Sequence, residues 1–305
     1  MTSSAHSAEW LSGTIPDLPT PFNDHGEIDD KAFGRLCERQ IAAGATALVV
    51  GETAGESSTL EPAERVRLVR IAADVAGKRA RIIAGAGSNA TDRAITFTQA
   101  AEAAGADAIM SVVPYYNKPM PSGMAAHFRA VAAATALPVI LHDIPARTVK
   151  GLPDDTLVEL AQSRQFAGLR DGSGDIARLT RLRPRLPGGF RLLTGDDTTS
   201  LAYLAAGGDG CISSVTNVVP DLCEAIVRHL RDGRLKPARD LHQRLVPLTT
   251  LLEREHPAAL KFALALLGFI RPATRLPIVQ LEPSAKAEIA QVMASLADEY
   301  LADAR

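Results

Sequence analysis

The chain has 305 residues, of which 46% are hydrophobic, 4% aromatic and 22% charged, and its 33 basic and 35 acidic side chains leave a formal charge of −2. This balance lacks the basic surface that nucleic-acid binding needs, and no apolar run approaches the ~18 residues that would span a bilayer. We therefore expect neither nucleic acid nor a membrane as a partner. Three scattered cysteines and no secretory signal in the first ten residues favour a cytoplasmic protein.

Short apolar runs rich in β-branched residues predict eight strands. They lie at Gly13–Leu18, Ala47–Gly51, Arg81–Ala86, Ala108–Val113, Pro138–His142, Phe166–Arg170, Phe190–Thr194 and Gly210–Ser214. The runs are continuously apolar rather than alternating, which is typical of parallel strands buried on both faces. The Ala-rich stretches between them begin with helix-start residues such as Asp29 and Thr91, so we expect a helix after each strand.

Eight strand–helix units favour one architecture of the α/β class. They predict a closed (β/α)8 TIM barrel, because an open doubly wound sheet more often has about five or six strands. After Pro220 the strand pattern ends and a helical extension is expected. Its predicted helices are Leu235–Arg254, Pro257–Gly268 and Ser284–Ala302. The predicted division is an N-terminal tail at 1–12, the barrel at 13–232 and a C-terminal helical domain at 233–305.

Polar residues follow the predicted strands, and active sites of such barrels lie at the carboxyl ends of the strands. These strand ends are Asp17, Glu52–Ser57, Gly87–Asn89, Pro114–Pro119, His142–Arg147, Arg170–Asp175, Gly195–Asp197 and Ser213–Asn217. We expect the functional side chains among them. Glu56, Asp196 and Asp197 are interpreted as structural residues that cap helices or accept hydrogen bonds from loop amides.

Four of these segments carry motifs: TAGES at Thr53–Ser57, PYYNKP at Pro114–Pro119, PART at Pro145–Thr148 and LTGDD at Leu193–Asp197. In this order they resemble the motifs of the dihydrodipicolinate synthase and N-acetylneuraminate lyase family of class I aldolase-type enzymes. The resemblance covers nearly the whole chain. It implies a (β/α)8 barrel with a C-terminal helical domain, usually as a homotetramer.

The family's chemistry begins when a lysine amine condenses with pyruvate or another 2-oxo acid, while a tyrosine moves protons. The resemblance puts Arg170 at the lysine position and His142 at the tyrosine position. A guanidinium stays charged and has no nucleophilic lone pair at neutral pH, so Arg170 cannot form a Schiff base. Of the seven lysines, only Lys118 and Lys150 lie in loops on the active rim, and they are the candidates for a relocated nucleophile.

The parts of the family site that bind substrate are present. The resemblance implies that Arg147 holds a carboxylate through two N–H groups and that Thr53 presents a hydroxyl. Further substrate contacts are expected at Ala54, Gly195 and Ile212. Tyr116 matches the tyrosine that the family inserts across a subunit interface, which implies a homotetramer or a dimer.

Two acidic residues are expected beside Arg170 that the family usually lacks. Asp17 and Glu52 stand where the family usually has small neutral residues. A lone arginine inside a barrel would be costly, so we predict that one or both carboxylates pair with Arg170. His142 with the two carboxylates is also a possible metal trio, although the nearby cation disfavours it; we expect no metal and no cofactor.

Two functions remain open on the sequence alone. In the first, the protein is a lyase or aldolase that binds a 2-oxo acid or other small carboxylate, with His142 as acid–base and Arg170 as a fixed cation that stabilises an enolate. In the second, it is a non-catalytic carboxylate-binding member. Because the Schiff-base lysine is absent, we expect no authentic dihydrodipicolinate synthase activity; a lyase using Lys118 or Lys150 is a further alternative.

Overall fold

The computed structural model describes residues 8–303, with side chains up to residue 297, and contains eight strands. They are β1 Gly13–Pro16, β2 Ala47–Val50, β3 Arg81–Gly85, β4 Ala108–Val112, β5 Val139–Asp143, β6 Phe166–Asp171, β7 Arg191–Thr194 and β8 Gly210–Ser213. Every predicted strand is present, and the boundaries differ from the prediction by one or two residues. The apolar runs were sufficient to locate them because each strand is buried on both faces.

The strands form one parallel sheet in the order β1-β8-β7-β6-β5-β4-β3-β2. A parallel bridge between Asp17 and Val49 links the two end strands, and the amide of Leu18 donates to the carbonyl of Val49 at 2.9 Å. The bridge brings the two ends of the sheet together, so the predicted (β/α)8 barrel is confirmed. All strands run the same way, so their carboxyl ends meet on one rim.

Helices alternate with the strands. They are α1 Asp30–Ala42, α2 Pro62–Ala76, α3 Thr91–Ala103, α4 Pro121–Ala133, α5 Pro145–Thr148, α6 Asp154–Ala161, α7 Ile176–Leu182, α8 Ser200–Ala205, α9 Pro220–Arg231, α10 Leu235–Arg254, α11 Ala258–Leu266 and α12 Pro283–Asp303. Asp29 caps α1 as predicted, because its side chain accepts from the amide of Ala32 at 3.0 Å. Thr91 instead opens α3 as its first residue, with Ala90 at the cap.

The core has three parts. The barrel interior is filled by side chains that include Ile15, Val49, Met110 and Ile212, and a second layer lies between the sheet and its helices. Helices α9 to α12 bury a third cluster against the barrel. The predicted division at residue 232 falls in the turn between α9 and α10. Of the predicted tail, 1–7 lie outside the described residues, whereas Leu11 is fully buried in the barrel cluster.

No helix in the described range 8–303 is long and apolar enough to cross a membrane. This agrees with the sequence, in which no apolar run reaches the necessary length.

His127 on α4 predicts an acid-sensitive contact. Its Nδ1 lies 3.0 Å from the hydroxyl of Thr91, and burial lowers its pKa from 6.5 to about 4. The unfolded chain takes up a proton near pH 6.5 while the folded protein resists it until about pH 4. Stability is therefore full above this window, and we expect it to fall by about 2 kcal/mol on acidification through it.

The measurement is urea unfolding at pH 7 and pH 4.5 of the wild type, His127→Leu and His25→Leu. The leucine at position 127 should reduce the loss of stability between the two pH values. His25 is exposed, so its substitution should leave the pH difference unchanged. An equal acid-induced loss in all three proteins would contradict the assignment to His127.

Candidate active site

Two neighbouring strands place His142 and Arg170 side by side. In the pairing of β5 with β6, His142 is opposite Arg170 and Asp143 is opposite Asp171. Side chains alternate along a strand, so the first pair faces the barrel interior and the second faces outward. The outward pair is held by Arg178, whose Nη1 lies 2.8 Å from Asp143 Oδ2 and 3.2 Å from Asp171 Oδ1.

The inward pair is part of a buried group of four ionisable side chains, here called the charged quartet: Asp17, Glu52, His142 and Arg170. Arg170 Nη1 is 2.9 Å from Asp17 Oδ2 and 3.8 Å from Glu52 Oε2. His142 Nδ1 is 3.2 Å from Glu52 Oε1. None of the four residues is more than 5% exposed. The predicted pairing of Arg170 with a carboxylate is therefore confirmed, and both carboxylates take part.

The two carboxylates of the quartet have opposite pKa shifts. Burial raises the pKa of Asp17 above its usual 3.8, and Arg170 offsets this only in part. Burial also acts on Glu52, but His142, Arg170 and the hydrogen bond from Thr53 together hold its pKa well below its usual range. Carboxyl groups whose pKa values are driven apart in one site are suited to different acid–base roles.

The loop after β2 orders the quartet. The amide and the hydroxyl of Thr53 both donate to Glu52 Oε2 at 2.7 Å. The amide of Ala54 lies 3.5 Å from Asp17 Oδ2. The sequence assigned the Thr53 hydroxyl to substrate, but in this structure it is hydrogen-bonded to Glu52 and orients that carboxylate. Thr53 also lines the cavities above the quartet.

The rim above the quartet holds two adjoining open cavities. The first, of about 290 Å³, is lined by Glu52, Ser57, Arg65 and Tyr115 among others. The second, of about 280 Å³, is lined by residues that include Arg170, Gly195, Ser214 and His256. Thr53, Ile144 and Arg147 line both. Arg147, the predicted carboxylate clamp, thus lies at the boundary between the two cavities.

Gly195 lies close against the side chain of Arg170. A Cβ added there would meet Arg170 Nε at 3.0 Å and Cγ at 3.1 Å. The residue therefore lies against the guanidinium stem, and its amide donates to the carbonyl of Asp171 at 2.7 Å. Arg170 Nε has no hydrogen-bond partner among the described residues, and Arg170 lines the second cavity. The Nε atom is itself buried, so it is an unpaired polar group beside that cavity.

Five predicted site residues line neither cavity, and two of them, Asp17 and Ala54, are fully buried. His142 is covered by Glu52, and its Nε2 has no hydrogen-bond partner within residues 8–303. Ile212 is fully buried in the barrel interior, paired in register with Ile15. Tyr116 is 88% exposed and has a φ of +72°. The alternative nucleophiles Lys118 and Lys150 are both exposed and also lie outside the two cavities.

The structural interpretation of the acidic loop residues is confirmed for all three of them. Asp196 Oδ1 accepts from the amides of Thr198 and Thr199, and Asp197 Oδ2 accepts from those of Ser214 and Val215. Glu56 accepts the amide of Arg275 and pairs with a buried lysine, Lys261, which the sequence had not singled out. In the described part of the chain, no three His, Cys, Asp or Glu side chains form a group that could hold a metal.

The helical extension contributes cavity residues that sequence reasoning missed. His256, between α10 and α11, and Glu253, in α10, line the second cavity with Ser214. Burial and Asp196 raise the pKa of Glu253 to about 7. Burial, Arg147 and Arg170 lower the pKa of His256 to about 3. No sequence signal indicates these positions, because they follow the last strand and belong to a helical pattern of their own.

Comparisons with known proteins agree with this geometry. A model of the dihydrodipicolinate synthetase family matches residues 10–296. A protein of Hyphomonas neptunium named 4-hydroxy-tetrahydrodipicolinate synthase is 44% identical and covers 92% of this chain and 97% of its own. The structure of the synthase of that name from Methylacidiphilum fumariolicum SolV has a TM-score of 0.92 and 38% identity, covering 96% and 97% of the two chains.

A third similar protein shows a ligand. The dihydrodipicolinate synthase of Acinetobacter baumannii, solved in complex with pyruvate, has a TM-score of 0.90 and 34% identity, and 93% of this chain and 98% of that one are covered. Pyruvate is a small 2-oxo acid, the ligand class that the sequence predicts for this site.

These comparisons correct one expectation. We expected no authentic synthase activity, with a non-catalytic carboxylate-binding protein as the alternative, because the lysine is absent. That expectation is wrong: relatives 38% to 44% identical over 90% or more of this chain are named as synthases. The sequence argument gave one side chain too much weight, since fixed charges can stabilise an enolate without a covalent bond.

Proposed function

Because the chain belongs to the dihydrodipicolinate synthetase family, we propose that it is a carbon–carbon lyase of the synthase type, which activates a small 2-oxo acid such as pyruvate and joins it to an aldehyde. The observation that carries the proposal is the charged quartet beneath a cavity that is lined by both Arg147 and Arg170. Two guanidinium groups in the lining of one cavity suit a ligand with a carboxylate and an adjacent carbonyl.

The resemblance puts Arg170 where the family has its Schiff-base lysine and His142 where it has a tyrosine. We propose that activation proceeds without a covalent bond to Arg170, because a guanidinium is not a nucleophile at neutral pH. Arg147 binds the carboxylate of the 2-oxo acid, and the Arg170 guanidinium donates to its carbonyl oxygen. Arg170, near the end of β6, is fixed by Asp17 before the ligand binds, as electrostatic stabilisation requires.

The proposed reaction is an enolate addition. The Glu52–His142 pair removes a proton from the carbon next to the carbonyl, and the electron pair moves to the carbonyl oxygen, where Arg170 stabilises the negative charge. The enolate carbon then attacks the aldehyde carbon, and the resulting alkoxide takes a proton back from the pair. Glu52 lines the first cavity, which adjoins the second at Arg147, and His142 Nδ1 lies 3.2 Å from the Glu52 carboxylate, which supports a shared role for the two side chains.

The proposal includes an interface between subunits at the loop after β4. Tyr116 and Met120 are 88% and 70% exposed on the loop after β4. Apolar side chains this exposed and this close together favour contact with another subunit. With the family resemblance, this supports a homodimer or homotetramer, and we propose that the protein acts in the cytoplasm.

The proposed function is tested by exchange of the pyruvate methyl protons for deuterium in D2O, followed by proton NMR. We expect the wild type to exchange them at least tenfold faster than buffer and Arg147→Ala to slow the enzyme at limiting pyruvate. Borohydride with pyruvate should leave the intact mass of the wild type unchanged. Arg170→Lys is the matched control, because it puts an amine in the barrel and should give a reducible adduct.

No exchange above buffer with pyruvate, and none with longer 2-oxo acids, would contradict the proposed function. A borohydride adduct on Lys118 or Lys150 of the wild type would retain the lyase but overturn the non-covalent route. The two outcomes are separable, since proton exchange reports enolisation by either route and the adduct reports only the covalent one.

A further inference from the structure

His256 brings the helical extension into the cavity that Arg147 lines. It lies between α10 and α11, next to Pro257, and contacts two barrel residues. Its Nδ1 is 3.5 Å from Arg147 Nη2, at the long end of hydrogen-bonding distance, and its Nε2 is 3.0 Å from the hydroxyl of Ser214. The three side chains form a line of polar contacts along the wall of the second cavity.

The chemistry of Arg147, His256 and Ser214 determines which group donates and which accepts in each hydrogen bond. A guanidinium only donates, so Nδ1 of His256 must be the acceptor. The ring proton is therefore on Nε2 and is donated to the Ser214 hydroxyl. Only the neutral ring can make both contacts, and the positive charges of Arg147 and Arg170 favour that neutral form.

Arg147 has little else to hold it. It lies in α5, a helix of four residues, which is followed by Val149 at a φ of +67°. The Arg147 side chain is exposed, and no carboxylate of the described residues pairs with its guanidinium. A long exposed side chain without a fixed partner samples many rotamers, and ordering it costs free energy when a ligand binds.

We propose that His256 is a positioning residue that orients the Arg147 guanidinium toward the carboxylate of a 2-oxo acid. The proposal rests on the proposed function, because the ligand is the same. His256 reduces the ordering cost in advance by accepting a hydrogen bond from Arg147. The extension thus contributes directly to substrate affinity.

The test measures KM and kcat for deuterium exchange into pyruvate in His256→Leu, His256→Gln and the wild type. Leucine has no acceptor, so KM should rise about tenfold while kcat changes less than about threefold. Glutamine offers a carbonyl oxygen to Arg147 and should return KM to within about threefold of the wild type. His25→Leu, at an exposed histidine, is the control and should change neither value.

A double-mutant cycle with Arg147→Ala decides between positioning and general damage to the site. Once Arg147 is removed, His256→Leu should have no further effect on KM. Additive effects of the two substitutions, or an equal loss in the glutamine and leucine variants, would overturn the proposal. Absence of any exchange in the wild type would instead refute the proposed function, so the two failures are distinguishable.

Discussion

Arg170→Met is expected to destabilise the protein by about 3–5 kcal/mol, because it removes the arginine that pairs with Asp17 and Glu52 and leaves both carboxylates in the barrel interior without that cation. Methionine fills much of the same volume, so the cost comes mainly from the unpaired charge rather than from a cavity. The measurement is the free energy of unfolding from urea titration at pH 7.

A second substitution identifies the source of the loss. Asp17→Asn removes one of the two unpaired charges, so Arg170→Met with Asp17→Asn should be more stable than Arg170→Met alone. Arg67→Met is the matched control, because Arg67 pairs with Asp30 on the surface with about half of its side chain exposed. We expect the control to cost well under about 1 kcal/mol. Equal losses at positions 170 and 67 would contradict a buried charge cluster.

The pairing of Arg170 was predictable from the sequence because burying an unpaired cation costs free energy. A continuous apolar strand that ends in arginine places a cation where burial is unfavourable, and only nearby carboxylates at other strand ends can offset it. Asp17 and Glu52 are the acidic residues closest to the ends of the first two strands. The barrel topology brings these ends together, so strand position alone indicated the contact.

The arrangement of the cavity was not predictable in the same way. Arg147 and His256 are 109 residues apart, and no period in the sequence relates a loop of the barrel to a turn in the helical extension. The order within the quartet was also hidden: His142 lies behind Glu52 rather than facing the cavity. Strand ends identify which residues approach the rim, whereas the rotamers and the loops decide which of them meets a ligand.

Lys261 shows a second limit of sequence reasoning. Its place in α11 made it look unremarkable, yet the residue is fully buried. Its ammonium pairs with Glu56, donates to the carbonyl of Ala273 at 2.8 Å and lies 4.0 Å from the ring centroid of Phe22. Burial lowers its pKa to about 8 although Glu56 opposes the shift. The three residues before it, Ala258–Leu260, are apolar in the sequence and buried in the structure. This apolar run was the sequence signal that Lys261 is buried.

Lys261→Met should therefore cost about 3–5 kcal/mol, because it leaves the Glu56 carboxylate buried without its cation. Glu56 lies in the loop that carries Glu52 and Thr53, so the variant should also lower the rate of deuterium exchange into pyruvate. Lys261→Met combined with Glu56→Gln should be more stable than Lys261→Met alone, since glutamine is neutral and can still accept the amide of Arg275.

Lys236→Met is the matched control for this prediction. Lys236 pairs with Asp240 four residues later on the same helix, and 77% of its side chain is exposed. Water solvates both partners of that pair, so breaking it should change the free energy of unfolding by less than about 0.5 kcal/mol. A loss of stability this small in Lys261→Met would contradict the prediction, and so would a double variant in which Glu56→Gln adds its full cost. Either result would mean that the buried Lys261–Glu56 pair does not hold the extension against the rim loop. A large loss of stability in Lys261→Met, partial recovery in the double variant and an unaffected control would together establish that the pair joins the extension to the rim loop.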